Sequence, residues 1–151
     1  MKMMRLALCM AVIFVALGAK AELKKSEILG VWTQTQNEQG VSVSSTYDFK
    51  ADDTVTQILV VSSANPKVSV IADGTVKYQI GDDTITFKFS ASDFNFSVFE
   101  IEGLPKEYVE VAKQQMLSQM TNMEQKLTDV KIEGNTLTAK FNGETISMQR
   151  N

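Results

Sequence analysis

From Val41 to Phe49 the chain alternates strictly. Val41, Val43, Ser45, Tyr47 and Phe49 take the odd positions, and Ser42, Ser44, Thr46 and Asp48 the even ones. The same two-residue period returns in Val76-Tyr78-Ile80, in Ile85-Phe87-Phe89 and in Leu137-Ala139-Phe141. A period of two is that of a strand with one dry face and one wet face. Between these runs one turn grammar recurs, in ADDTVT (51–56), ADGTVK (72–77), GDDTIT (81–86) and EGNTLT (133–138). Each places short polar residues or glycine before a threonine and an apolar residue, which predicts a tight turn feeding a strand. Asn142-Gly143 is a further, stronger hairpin signal. Two stretches break phase, Thr54 to Val61 and Phe94 to Ile101, the latter at Val98-Phe99. Bulges or bends are expected there. The pattern yields eight to ten strands in an antiparallel sheet curled around a core.

One segment has a different period. Pro105 to Leu127 contains no glycine and no internal proline. Val109, Ala112, Met116, Met120, Met123 and Leu127 follow each other at steps of three and four, with Glu110, Lys113, Gln114 and Ser118 opposite. This predicts one amphipathic helix over about 105–127, roughly 33 Å long at about 1.5 Å per residue, inserted before the last three strands. Pro105 suits its first turn, and Glu107 and Glu110 suit its positive end. It is too polar to span a membrane, so it must lie against the sheet or across an open end of it.

The first residues are read apart from the fold. Lys2 and Arg5 precede the uncharged apolar run Leu6–Ala19, and Ala19-Lys20-Ala21 offers small residues where a signal peptidase reads. This is the pattern of a secretory signal cleaved after Ala21. Fourteen residues span only about 21 Å, too short for the ~30 Å hydrocarbon core. Residues 22–151 then form a single domain of an exported protein, periplasmic or secreted and bacterial in style, with no membrane span after cleavage. Cys9 leaves with the signal, so packing alone must hold the fold. Three of the 15 basic residues leave as well, and 12 remain against 18 acidic ones, a net charge of −6. No basic cluster exceeds Lys24-Lys25, which argues against nucleic acid and anionic membranes as partners.

Successive short hairpins favour an up-and-down barrel, because closure removes exposed edges. Closure requires the first and last strands to pair. Trp32, the only tryptophan, lies on the first strand, and in ETISMQRN the alternation turns Ile146, Met148 and Arg150 inward. Arg150 is the only arginine after cleavage, and an indole face would offer it ~0.5–2 kcal/mol of cation–π attraction. Gly30-x-Trp32 at the start of the first strand, with a basic residue late in the chain, resembles the signature of the lipocalins in the calycin superfamily. YDFKADDTVT and NTLTAKF…ETISMQR are similar to stretches of bacterial lipocalin-like domains. The resemblance implies a barrel whose end is closed by Trp32 with the Arg150 cation packed over it. Typical lipocalins carry their helix after the barrel and usually hold a disulfide; this chain does neither.

Little here promises catalysis. After cleavage the chain has neither histidine nor cysteine, which removes histidine-based triads, thiol nucleophiles and the usual zinc and copper sites. Asp52-Asp53 and Asp82-Asp83 sit at hairpin tips, where aspartate is ordinary turn chemistry. No catalytic residue, metal site or cofactor is expected. The inward aromatics remain, among them Phe96 and Phe141. An eight-stranded barrel is just wide enough to be filled or to hold one small ligand. Two readings stay open. In the first, an apolar small molecule is lined by Tyr47, Phe49, Tyr78, Phe87, Phe89, Met116, Met120 and Met123, with the methionine stripe as an adaptable wall. In the second, the barrel is solid and the chain is a non-enzymatic interaction or inhibitor module for another extracytoplasmic protein.

Overall fold

The computed structural model describes residues 22–122 and 126–151. The signal segment and Met123 lie outside them. A one-turn helix, α1 (Lys25–Ile28), leads into β1 (Gly30–Glu38), β2 (Val41–Phe49), β3 (Thr54–Ala64), β4 (Lys67–Ile80), β5 (Ile85–Lys88) and β6 (Phe94–Ile101). A 3-10 turn at Lys106–Tyr108 opens α2 (Val109–Asn122), and β7 (Lys126–Glu133), β8 (Thr136–Phe141) and β9 (Glu144–Arg150) complete the chain.

All pairing is antiparallel, and the ring runs β3-β2-β1-β9-β8-β7-β5-β4, with β4 returning to β3. Eight strands therefore close into a barrel, and the helix precedes the last three. The ninth strand, β6, is an addition. One edge of β4 pairs with β3 from Lys67 to Lys77. Its other edge serves β6 over Val68–Gly74 and β5 over Lys77–Ile80. Pairing in the ring is shortest where β5 meets β7, at Ile85↔Leu127 and Thr86↔Lys126, and where β1 meets β9, at Trp32↔Arg150 and Thr33↔Gln149.

Inward parity is what the alternation predicts on most strands. Trp32, Phe49, Val55, Ile85, Leu137 and Met148 form the buried centre. Three expectations need correction. The run 72–77 is not a turn but the middle of β4. Gly74 is there for space: a β-carbon would lie 2.5 Å from the Asp93 carbonyl oxygen and 2.8 Å from the Phe94 ring. Gly74→Val should therefore destabilise the protein by about 1–3 kcal/mol through overpacking, read as a lower denaturant midpoint.

The second correction concerns 54–61, which carries no bulge. β3 keeps unbroken register with both neighbours. Its phase looked broken because Ile58 and Val60 are apolar on the outer face, Ile58 being 39% exposed, while polar Gln57 shares the inward parity of Val55. The expected irregularity in β6 is present, with Ser97 as the extra residue between the pairs Ile71↔Val98 and Ala72↔Phe96. A further bulge, unforeseen, lies in β7, where Asp129 adopts a φ of 49° and the Val130 N–H donates to the Asp83 carbonyl at 2.9 Å.

The third correction is the helix length. α2 ends at Asn122, and Leu127 belongs to β7, buried opposite Ile85. Strand pairing claims Leu127 because β7 is the link that closes the ring, and at about 1.5 Å per residue the 14-residue helix spans about 21 Å. It packs beside β6 and the 3-10 turn Ala91–Asp93. Leu117 and Met120 reach the core, and Lys113 sits over the Phe99 ring at 5.8 Å rather than on a fully wet face. No helix among the described residues is long and apolar enough to cross a membrane.

Candidate functional site

The two ends of the barrel differ. The lower end, where β1 begins and β9 finishes, is solid. Trp32 pairs with Arg150 across the closing strands. The guanidinium carbon stands 4.4 Å from the indole centroid, and Arg150 Nη2 donates to the Glu27 carbonyl. The indole N–H donates to the Ile28 carbonyl at 2.7 Å. One ring thus binds the last strand through its face and the N-terminal segment through its edge. Gly30, at φ +109°, turns the chain from α1 into β1 in a region unfavourable to any side chain. The segment before it crosses the barrel end. Leu23 N–H donates to the Asp82 carbonyl at 2.7 Å, and Lys25 Nζ contacts both the Ala51 carbonyl and Asp53 Oδ1 at 2.6 Å.

The aspartate pairs serve these turns. Thr54 donates through its hydroxyl and, at 3.1 Å, its N–H to Asp52 Oδ1, which holds that carboxyl below the usual range. Asp53 is the partner of Lys25. Among the described residues no group of three or more acidic, histidine or cysteine side chains is placed to hold a metal ion.

Above this seal lies a layer of rings. Phe49 meets Tyr78 edge-on at 5.1 Å and Tyr47 face-on at 6.2 Å, and Tyr47 stacks on Phe87 at 6.0 Å. Phe49 and Tyr78 are buried in the solid core, and the Tyr78 hydroxyl donates to the Lys50 carbonyl at 2.8 Å. Tyr47 and Phe87 instead form the floor of a cavity of about 380 Å³ in the upper half of the barrel. Phe89, Phe94, Met120, Leu127, Phe141 and Ile146 line its apolar side. Of the ring and methionine positions expected to surround a ligand, Tyr47, Phe87, Phe89 and Met120 come together here. Phe49 and Tyr78 lie beneath the floor, and Met116 is half-buried on α2 away from the cavity.

The cavity also has a polar wall that the sequence reading missed. Gln34 and Gln36 on β1, Ser45 on β2, Gln57 on β3 and Glu144 on β9 all border it. The signal was available: Gln34 and Gln36 share the parity of Trp32, and Gln57 that of Val55. A search for inward apolar residues passes over inward amides.

Burial raises the Tyr47 hydroxyl above its ordinary pKa, partly opposed by a hydrogen bond with Ser45, and burial likewise raises Tyr78, opposed by the nearby Lys25 charge. Both groups therefore favour folding while neutral. Their contribution is complete below about pH 10, the unfolded tyrosine value, and is lost as pH rises through the higher folded values. The melting temperature should accordingly hold level up to about pH 10 and fall above it, with tyrosinate absorbance rising late and together with unfolding.

No protein-family model matches this chain, and no curated protein matches it. The chain forms a closed eight-stranded antiparallel barrel, consistent with a lipocalin-like fold, sealed below and hollow above.

Proposed function

We propose that this chain is an exported, lipocalin-like binding protein of the calycin superfamily that holds a small apolar molecule in the upper cavity. The observation that carries the reading is the cavity itself. Its volume of about 380 Å³ falls within the range of small-molecule sites, roughly 300–1,000 Å³. Rings and aliphatic side chains supply most of its wall, and Met120 from α2 adds a side chain that can adjust to a guest. The seal around Trp32 and Arg150 supports the reading further, because it leaves the upper end as the entrance. In this reading the protein performs no catalysis, and its mature form begins at Glu22 in the periplasm or outside the cell.

Mild purification of the secreted protein followed by native mass spectrometry tests this. The expected result is a mature chain starting at Glu22, carrying a mass adduct that denaturation and solvent extraction release. A bare chain that also fails to take up the neutral dye N-phenyl-1-naphthylamine would count against ligand binding. A second reading, an interaction module, has one observation in its favour. Tyr108, closing the 3-10 turn, and Val111, in the first turn of α2, lie three residues apart and are 56% and 51% exposed. Pull-down from the same extracellular fraction with Val111→Glu as control would separate the two.

A further inference from the structure

The polar wall constrains the guest beyond its being apolar, and the inference rests on the binding reading above. We infer that the guest carries an uncharged hydrogen-bonding head, an amide or hydroxyl, seated against Gln34 and Gln57, and that a carboxylate head is excluded. The three cavity glutamines offer both donors and acceptors. Their side-chain amides make no hydrogen bond to protein among the described residues, so a guest or solvent must satisfy them. Gln57 and Gln34 are half-buried on strands that flank Tyr47, whereas Gln36 is exposed nearer the mouth. Glu144, also at the mouth, is the single charged side chain bordering the cavity among the described residues, and it is negative. Arg150, the one arginine among the described residues, is committed to Trp32 and the Glu27 carbonyl at the opposite end.

The consequence follows from charge and solvation. A carboxylate entering this site loses water, meets no cation to replace it and approaches the like charge of Glu144. A neutral amide meets complementary amides and loses far less. The apolar body of the guest lies on Tyr47, Phe87 and Phe89 in either case, so the head alone decides.

Decanamide and decanoate differ only in that head. With N-phenyl-1-naphthylamine bound to the mature protein at neutral pH, decanamide should displace the dye at a concentration at least about tenfold lower than decanoate. Gln57→Leu should remove most of that preference, each competitor being compared with the dye affinity of the same variant, and Glu144→Gln should narrow the gap by strengthening decanoate. Decanoate equal to or better than decanamide would overturn the head assignment and leave the binding reading standing. Failure of the dye itself to bind would overturn both. A decanamide preference that survives Gln57→Leu unchanged would also overturn it, since the amide would then be recognised elsewhere.

Discussion

Trp32→Ala should lower the unfolding free energy by about 3–5 kcal/mol, the range for removing a fully buried large aromatic. Trp32 is 0% exposed and holds together three parts of the chain that are distant in sequence. Its edge fixes α1 through the Ile28 carbonyl, its face carries Arg150 of β9, and its backbone pairs with Tyr47 of β2. Removal leaves a cavity, frees the indole's hydrogen-bond partner and strands the guanidinium, whose Nε is already buried without a hydrogen-bond partner among the described residues. Arg150→Met keeps the aliphatic stem over the ring but loses the charge and the bond to Glu27, and should cost less, about 1.5–3 kcal/mol. Chemical unfolding of the two variants and the double variant measures the coupling. Nearly additive losses would show that ring and cation do not act as a unit.

Ser45→Phe should weaken binding of N-phenyl-1-naphthylamine by about a hundredfold while leaving the melting temperature within a few degrees of the parent. Ser45 points into the cavity from the middle of β2, directly across from Gln34 and two residues from Tyr47. A phenyl ring there takes up space that a guest would occupy and stacks toward the existing floor. The site is open above it, so the added ring enters room already present and does not force a packed core apart. A large loss of stability instead would mean that the interior at Ser45 is closed. Undiminished dye binding would place the dye outside the barrel.

How legible this molecule is from sequence depends on what each residue must satisfy. Trp32, Met148 and Arg150 could be placed because parity and barrel closure leave their side chains one way to face. Phe87 and Phe89 follow from the same rule. The rule fails where an inward position is polar. Gln34, Gln36 and Gln57 are invisible to a search for apolar alternation, yet they form the wall that gives the cavity its chemistry. It fails again at Gly74, whose glycine accommodates the Asp93 carbonyl rather than a turn. Close approach of two backbones distant in sequence leaves no local signature. Leu127 fits the periodic stripe of the helix as well as it fits a strand, and only the need to pair with Ile85 assigns it to β7. The helix boundary is thus set by tertiary pairing that intrinsic propensity does not contain.

The central claim is that a small molecule enters the upper half of the barrel and stops at the Tyr47–Phe87 floor. Titrating isotope-labelled mature protein with decanamide and following backbone and glutamine side-chain resonances tests it most directly. The account predicts saturable shifts at Gln34, Gln57, Phe89 and Ile146, with Trp32 and Arg150 unmoved. Shifts confined to the outer helix face around Val111, or perturbation of the Trp32 indole N–H at the sealed end, would contradict it.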